Sequence, residues 1–210
     1  MLTRLLSVDL PARREIIVLN DGSRDGTRGA LDAFGAAHPE VAIIHLLDNR
    51  GKGHAVRMGL THTTGTVVTI QYADLELDPA QIAELVTPVL SGEADVVYGS
   101  RFLAGPRVGG VNRLGNLFLT WATNVLFGAS LTDMETCYKV MRGDIARDLQ
   151  LSGDRFEIEP EITARLLQAG VRLIERPVTF APRSKAAGKK MRWRDGLTAL
   201  RMLVRCRLSR

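Results

Sequence analysis

Three carboxylates alternate with other residues in the acidic segment Asp74-Leu75-Glu76-Leu77-Asp78, which directly precedes Pro79. An extended backbone points every second side chain to the same side, so we expect these carboxylates to cluster. Carboxylates without His or Cys favour a hard divalent cation, Mg²⁺ or Mn²⁺. Such a cation could bridge a diphosphate and offset charge on a leaving group. The alternative is a solvated acidic loop in which Asp78 caps the helix that Pro79 opens.

Two glycine-containing segments could bind the rest of a nucleotide. In residues 20–27 (NDGSRDGT), Asp21 stands at the end of a predicted strand, where ligands bind in open parallel sheets. In residues 48–55 (DNRGKGHA), Gly51 and Gly53 allow close backbone approach and Lys52 supplies a positive charge, which suits a phosphate. The spacing differs from that of a Walker motif. Each segment could also be a plain turn.

Other catalytic arrangements find no support in the sequence. No Ser-His-Asp or Cys-His arrangement is evident, and the histidines form no ligand pair at i, i+4 spacing: they are His38, His45, His54 and His62. The two cysteines, Cys137 and Cys206, lack metal-ligand spacing and suggest no disulfide framework. The sequence therefore predicts a reducing compartment.

Apolar β-type runs alternate with helical segments in the first hundred residues, which indicates an α/β fold with a mostly parallel sheet. We predict strands at 15–20, 41–47, 66–72 and 94–99, and helices at 27–37, 53–62 and 79–90. After a loop at 101–113, we predict helices at 114–132, 144–149, 160–169 and 193–208, and strands at 137–141 and 171–180. The single domain divides into a nucleotide-binding half, 1–100, an acceptor-binding half, 101–182, and a basic C-terminal segment with an amphipathic helix, 183–210.

Charge is distributed unevenly along the chain. Residues 183–210 contain ten Lys or Arg and one acidic residue, Asp195, a net charge of +9, whereas the whole chain carries +5. The first 182 residues are therefore mildly acidic. A basic tail suits an anionic partner, either anionic lipid or nucleic acid, although a solvated arm is the alternative. Nucleic acid is the weaker choice, because Trp193 alone offers a stacking surface in that tail.

Two helices could meet a membrane surface. The uncharged run 114–132 carries polar residues at helical spacing, so we interpret it as an amphipathic helix, buried or at a membrane surface, and not as a span. In the predicted helix 193–208, apolar and basic residues fall on different faces. The predicted lipid face holds Leu197, Leu200, Leu203 and Val204, and the predicted basic face holds Arg194, Arg201 and Arg205.

The ordered motifs NDGSRDGT, NRGKGHA, QYADLELDP and VVYGSRF resemble family 2 of the nucleotide-sugar glycosyltransferases, which have the GT-A fold. The later motifs DMETCYKV and FEIEPEI, and the arginine and GKK segment after ERPV, are similar to those of dolichol- and polyprenyl-phosphate mannose and glucose synthases. The resemblance extends from about Glu15 to Ala199.

The resemblance implies a role for each matching residue. Asp21 would contact the nucleoside, and Gly51, Lys52 and Gly53 would lie along the nucleotide. Asp74, also part of the nucleotide site, and Glu76 would hold the metal. The acceptor phosphate would meet four basic residues: Arg101, Arg113, Arg183 and Lys189, the last paired with Lys190 in a segment over the active site. Asp133 and Glu159 would sit beside the sugar, and the catalytic set would be Asp74, Arg101, Asp133 and Glu159.

Two departures from the family pattern matter. Tyr72 stands where an Asp is usual, so metal binding rests on Asp74 and Glu76. The family's first strand, which lies inside the sheet beside the strand at 15–20, has no counterpart in the printed sequence. We expect the first fourteen residues to be the helix that normally follows it. We also expect the natural reading frame to extend upstream by roughly ten residues or more.

These expectations combine into a reaction. The enzyme would move mannose or glucose from a GDP- or UDP-sugar to a polyprenyl phosphate, with inversion, at the cytoplasmic face of the membrane. A lipid phosphate is already ionised and needs no strong general base, and arginines bind phosphate bidentately. A soluble or polysaccharide acceptor would instead need a base, with Asp133 or Glu159 as candidates. A degenerate nucleotide-sugar-binding protein without turnover is the third possibility.

Overall fold

The computed structural model describes residues 1–105, 111–182 and 193–209, with the backbone alone for residues 111, 112, 193 and 194. The α-helices are α1 Leu2–Ser7, α2 Thr27–Ala37, α3 Lys52–His62, α4 Ile82–Leu90, α5 Val111–Phe127, α6 Gly143–Asp148, α7 Ile158–Gln168 and α8 Trp193–Leu208. The strands are β1 Ile16–Asn20, β2 Val41–His45, β3 Val67–Thr69, β4 Val96–Ser100, β5 Lys139–Arg142 and β6 Leu173–Pro177. A single 3₁₀ turn, Pro79–Gln81, leads into α4.

The strands form two sheets. In the first, β1 and β2 run parallel, and in the second the order is β3-β5-β4-β6. Strand β5 runs antiparallel to both β3 and β4, whereas β4 and β6 are parallel. The predicted α/β architecture is confirmed and both sheets contain parallel pairs, but two of the three pairings in the four-stranded sheet are antiparallel. The predicted single sheet is divided, because β1 pairs only with β2 among the described residues.

Apolar burial is concentrated around the four-stranded sheet. One cluster packs Tyr98 of β4 and Met141 of β5 against α5, α7 and α8, with Ile162 and Leu203 fully buried. A second cluster packs α4 onto the other side of the sheet through Leu85 and neighbouring residues. These packed elements hold the carboxyl ends of β3 and β4 in fixed positions.

Several predicted elements differ in extent from those observed. Helix α5 begins at Val111 and ends at Phe127, because Gly128 adopts a left-handed φ of +66°. At the N-terminus, only Leu2–Ser7 is helical, so the prediction of a helix through residue 14 was too long. Strand β3 is three residues long, since the chain turns at residue 73.

Helix α8 has the predicted bounds, but only two of the four residues of its predicted lipid face, Leu197 and Val204, are exposed. Leu203 is fully buried and Leu200 is half-buried, because α8 packs against α5 and α7 through this side. The exposed apolar side chains of α8 are Leu197, Val204 and Leu208. Arg201 and Arg205 are exposed as predicted, and the side chain of Arg194 lies outside the described part of the chain. No helix in the described ranges is long and apolar enough to cross a membrane.

Candidate active site

The acidic segment after β3 is a turn. Residues 73–76 turn, and Leu75 has a φ of +60°, a left-handed conformation that costs a non-glycine residue roughly 1–2 kcal/mol. The Glu76 backbone N–H donates to Asp74 Oδ1 at 3.1 Å. The expectation of an extended backbone was therefore wrong. Asp78 accepts a hydrogen bond from Ala80 N at 3.1 Å, so the capping role considered for it is confirmed.

The donor set of this turn fits a cation that is shared with a substrate. Within the described residues no three His, Cys, Asp or Glu side chains form a group that could hold a metal ion. Asp74 and Glu76 can offer two carboxylates from the two sides of Leu75 in the turn. Mg²⁺ is typically held by one or two carboxylates, with substrate phosphates and water completing its shell. The residues present therefore fit Mg²⁺ or Mn²⁺ held jointly with a diphosphate.

Asp21 organises the glycine-containing loop from the end of β1. Its carboxylate accepts the backbone N–H of Arg50 at 3.1 Å and that of Gly51 at 2.7 Å. Asn49 Nδ2 donates to the Asp21 carbonyl oxygen at 2.8 Å. The two loops predicted to bind a nucleotide therefore lie together, and Asp21 fixes their relative position. Direct contact of Asp21 with a nucleoside remains a prediction.

The glycines of this loop are required by a neighbouring protein segment. A Cβ at Gly51, which has a φ of +117°, would lie 2.5 Å from the Asp154 carbonyl oxygen, and one at Gly53 would lie 2.6 Å from that of Gly153. His54 N donates to the Asp154 carbonyl oxygen at 3.0 Å. The start of α3 thus packs directly on the loop before α7. Close approach of a ligand to these glycines stays a prediction.

That loop is held in turn by Glu161, which sequence reasoning missed. The buried Glu161 carboxylate accepts from Ser152 N, Ser152 Oγ and Gly153 N at 2.7–3.0 Å. The motif FEIEPEI carries the signal, since Glu161 is one of its carboxylates at the start of α7. By accepting hydrogen bonds from three donors, the Glu161 carboxylate fixes the loop at Ser152 and Gly153. The predicted nucleotide segment at Gly51 and Gly53 packs against this loop.

Glu159 is the centre of a buried charge cluster. Its Oε1 accepts from Lys52 Nζ at 2.8 Å and from the Tyr72 hydroxyl at 2.7 Å. Its Oε2 accepts from Lys139 Nζ at 2.5 Å, and Lys139 also donates to the Thr136 carbonyl oxygen. Lys52 lies over the Tyr72 ring, 4.6 Å from its centroid. Glu159 therefore joins the two predicted halves of the domain through α3, the segment after β3, and β5.

The cluster holds Glu159 ionised. Burial acts to raise the pKa of Glu159, but the charges of Lys139 and Lys52 outweigh burial and lower it to about 2. Burial acts to lower the pKa of Lys52, and the opposite charge of Glu159 reverses this, so the net shift is upward. Burial, followed by Glu159, raises the pKa of the Tyr72 phenol. A carboxylate with so low a pKa is a poor general base near neutral pH.

The position of Tyr72 explains the first departure from the family pattern. Its hydroxyl donates a hydrogen bond to Glu159, and its ring contacts the ammonium of Lys52. A phenol at this position gives a buried carboxylate a hydrogen bond without adding a second negative charge. Metal binding by Asp74 and Glu76 at the neighbouring turn remains a prediction.

Arg101 and Asp133 form a bidentate pair after β4. Arg101 Nε and Nη2 donate to the two Asp133 carboxylate oxygens, both at 2.7 Å, and Arg101 N donates at 2.9 Å. Asp133 is fully buried, and Arg101 also lies 5.3 Å from the ring centroid of Phe180. Glu175 accepts from the backbone N–H groups of Thr132 and Asp133, which fixes the segment. The predicted sugar-side carboxylate therefore orients the predicted phosphate-binding arginine.

The other predicted basic residues are only partly described. The Arg113 guanidinium lies 5.9 Å from the ring centroid of Phe102. Arg183, Lys189 and Lys190 fall outside the described residues. Their predicted contact with an acceptor phosphate remains a prediction.

Glu135 is a half-buried glutamate that sequence reasoning also missed. Its Oε1 is buried and has no hydrogen-bond partner among the described residues. Burial, followed by the charge of Glu159, raises the pKa of Glu135 to about 7, against the opposing charges of Lys139, Lys52 and Arg101. Glu135 thus adjoins both the Glu159 cluster and Arg101. The only sequence signal was its place in DMETCYK, between the two charged residues Asp133 and Lys139.

The raised pKa of Glu135 makes the folded state less stable as pH rises from the ordinary carboxyl pKa toward about 7. The folded state favours the neutral carboxyl, so its contribution is present below the ordinary carboxyl pKa and is lost as pH rises toward about 7. We expect Glu135→Gln to gain stability relative to the parent between pH 5 and pH 8, by on the order of 1–3 kcal/mol. Urea unfolding at both pH values measures this. An equal difference at the two pH values would contradict it.

These features define an α/β protein with a polar, charge-rich site at the strand ends. The model of the family described as Glycosyl transferase family 2 matches residues 1–149, and the chain belongs to that family. Because the match spans both predicted nucleotide loops, the acidic turn and Asp133, the family assignment rests on the site as well as the fold.

Named relatives in this family are similar over most of the chain. An undecaprenyl-phosphate mannosyltransferase of Micrococcus luteus is 28% identical over 193 residues, which cover 86% of this chain and 77% of the relative. A polyprenol monophosphomannose synthase of Mycolicibacterium smegmatis is also 28% identical, covering 84% and 72%. A dodecaprenyl-phosphate galacturonate synthase of Rhizobium johnstonii is 28% identical, but the chain spans only about half of its length, 54%.

Solved structures show the fold. A glucosyl-3-phosphoglycerate synthase of Mycobacterium tuberculosis, crystallised with Mn²⁺, UDP-glucose and phosphoglyceric acid, aligns with a TM-score of 0.65 and 20% identity. The alignment covers 91% of this chain and 68% of that one. A further structure of the same enzyme, with Mg²⁺ and UDP, gives a TM-score of 0.66. The predicted GT-A fold is confirmed.

Proposed function

We propose that this glycosyltransferase moves a hexose, mannose or glucose, from a GDP- or UDP-sugar to a polyprenyl phosphate, with inversion at the anomeric carbon. Membership of family 2 supports the transferase chemistry. Similarity to enzymes named for undecaprenyl-phosphate and polyprenol substrates supports the acceptor. The metal-bound, UDP-bound structures of the same fold support a divalent cation as cofactor.

One observation carries the choice of a phosphate acceptor. Both carboxylates considered as general bases are neutralised by cations: Asp133 by Arg101, and Glu159 by Lys52 and Lys139. A sugar hydroxyl needs a base to remove its proton, whereas a phosphate oxygen is already ionised near neutral pH. A site with strong cations and without these bases is therefore better matched to a phosphate nucleophile.

The residues have separate tasks in the proposed reaction. Residues 1–100 bind the donor, where Asp21 holds the loop that contains Gly51, Lys52 and Gly53 against the nucleotide. Asp74 and Glu76 hold Mg²⁺ or Mn²⁺, which when bound offsets negative charge on the diphosphate. In residues 101–182, Asp133 orients Arg101 toward the acceptor phosphate, and Arg113 assists. Glu159 keeps Lys52 and Lys139 in place at the junction of the two halves.

A direct assay tests the proposal. The purified protein is incubated with Mg²⁺ or Mn²⁺, a polyprenyl phosphate and a panel of GDP- and UDP-hexoses, and the lipid product is identified by mass. We expect one donor to give a polyprenyl phosphate increased by one hexose. Transfer to free sugars but not to the lipid would contradict the acceptor. Neither transfer nor donor hydrolysis with any donor would favour a binding protein without turnover.

A hydroxyl acceptor is the second candidate, and Glu135 is the observation that favours it. A half-buried carboxyl group with a pKa of about 7 and a buried oxygen without a described partner has the properties of a general base. Under the proposed function, Glu135→Gln should change transfer to polyprenyl phosphate by less than about tenfold. A loss of about a hundredfold or more in transfer to a sugar hydroxyl, the size typical of removing a general base, would favour the hydroxyl acceptor.

The proposed acceptor also sets where the protein must act. A polyprenyl phosphate stays in the bilayer, so the enzyme would be peripheral at the cytoplasmic membrane face, where an anionic lipid surface would attract its basic residues. The free cysteines Cys137 and Cys206 are consistent with a reducing compartment.

A further inference from the structure

Helix α5 turns its polar side chains toward the protein. Thr120 and Thr123 are buried, and Asn124 exchanges two hydrogen bonds of 2.9 Å with the backbone of Leu131. Thr120 Oγ1 accepts from Met134 N at 3.2 Å, and Asn116 reaches Asp133 at 3.4 Å. Leu119 and Ala122 complete this inner side. The polar face that would normally meet water is therefore used to hold the segment containing Asp133.

The outer side of α5 is apolar and exposed. Leu114, Phe118, Trp121 and Val125 are 69%, 51%, 60% and 64% exposed, respectively. Their spacing of four, three and four residues puts them on one side of the helix, which we call the α5 apolar face. Phe118 and Trp121 contact each other with ring centroids 5.9 Å apart. A contiguous patch of large apolar side chains on a solvent-exposed protein surface indicates an interaction site.

The charges around this face select the partner. Residues 101–132 contain no acidic residue. Helix α8 packs beside α5 and presents exposed Arg201, Arg205 and Arg207 together with Val204 and Leu208. Val125 of α5 and Arg207 of α8 line the same shallow cavity, so Arg207 borders the apolar face, and Arg201 and Arg205 add positive charge elsewhere on the exposed side of α8. Apolar side chains with a Trp, bordered by arginines, match the interface of an anionic bilayer.

The geometry points to the α5 apolar face as the surface that rests on an anionic lipid bilayer, with the α8 arginines over the headgroups. This inference rests on the proposed function in one respect: the inner side of the same helix contacts Asp133, which orients Arg101. A helix that lies on the bilayer would thereby hold the proposed phosphate site close to the lipid surface. Of the two helices considered from the sequence, α5 supplies the apolar contact and α8 supplies the basic border.

Vesicle binding tests the inference without donor or acceptor. The probes are phosphatidylcholine vesicles with and without phosphatidylglycerol, and the variant is Phe118→Ser/Trp121→Ser. We expect its partition to the anionic vesicles to fall about tenfold or more, since two large apolar side chains no longer enter the interface. The control is Leu47→Ser, which removes a 98% exposed apolar side chain elsewhere and should bind like the parent. Circular dichroism checks that both variants are folded.

The charge component has its own comparison. Arg201→Gln/Arg205→Gln should weaken binding to anionic vesicles at low salt and leave weak binding to pure phosphatidylcholine unchanged. Binding by the Phe118→Ser/Trp121→Ser variant equal to that of the parent would overturn the proposal. A change from oligomer to monomer in light scattering, without a change in vesicle binding, would also overturn it and identify a contact between copies.

Failure of the proposed function can be recognised separately. If the parent binds vesicles through α5 but transfers no hexose to polyprenyl phosphate, the membrane surface stands and the reaction is wrong. If transfer to a short water-soluble prenyl phosphate is normal in parent and variant but vesicle binding does not depend on α5, the reaction stands and the surface is wrong.

Discussion

Replacing Asp74 by Asn is expected to lower hexosyl transfer by about a hundredfold or more while leaving the fold intact. The change removes charge at nearly constant size from one of the two carboxylates proposed to hold the cation, and charge stabilisation by a metal is worth several kcal/mol. The amide oxygen can still accept the Glu76 N–H that shapes the turn. Initial rates at saturating donor and Mn²⁺, with the free energy of unfolding measured in urea, give the result.

Two neighbouring variants calibrate the Asp74 result. Glu76→Gln should be milder, because an amide oxygen still coordinates a hard cation, though less strongly. Asp78→Asn is the matched control, since Asp78 caps the 3₁₀ turn and Asn is an equally good cap. If Asp74→Asn keeps most of its activity at saturating Mn²⁺, the metal site is not at this turn.

Replacing Glu159 by Gln is expected to lower the free energy of unfolding by about 3–5 kcal/mol, because it leaves buried cations without their counter-charge. Lys139 is fully buried, and Lys139 and Lys52 both donate to Glu159. Glu84→Gln on the exposed side of α4 is the control and should change stability little. Urea unfolding at pH 7 compares them, and a loss below about 1 kcal/mol would mean that the cluster reorganises without cost.

The pH dependence of the free energy of unfolding, compared between the parent and Glu159→Gln, gives a second test of the cluster. The folded-state pKa of Glu159 is about 2, below the ordinary value for glutamate, so its stabilising contribution is present above that ordinary value. The contribution is lost as pH falls toward about 2. The parent should therefore lose more stability than Glu159→Gln between pH 5 and pH 3, and the two curves should converge in acid.

Local sequence patterns predicted the bounds of some helices correctly. Thr27–Ala37 and Trp193–Leu208 have the predicted bounds. The acidic segment was predicted wrongly because alternation implies an extended chain only in a strand, whereas Leu75 adopts a left-handed conformation in a turn. The exposed apolar face of α8 was predicted only in part, since apolar residues occur on both its buried and exposed sides and only packing against α5 and α7 distinguishes them.

The site was predictable in its members but not in its connections. Asp133, Glu159, Lys52 and Arg101 were identified from motifs, but their pairing joins residues 32 and 107 positions apart. Lys139 and Glu135 gave no separate signal, because a lysine or glutamate in sequence is ordinarily a solvated surface residue. Their burial becomes visible only when β5 is inserted between β3 and β4.

The division of the strands into two sheets also implies that the two parts of the molecule differ in local stability. Neither buried apolar cluster includes a residue of β1, β2 or α2, and α2 has no buried residue. We expect the amide hydrogens of this layer to exchange through local opening, at a lower free-energy cost than those of β4 and β5. Asp21 and Gly51 lie at the edge of the same layer, so a bound nucleotide would raise that opening cost by mass action. Donor occupancy would then set how ordered this layer is.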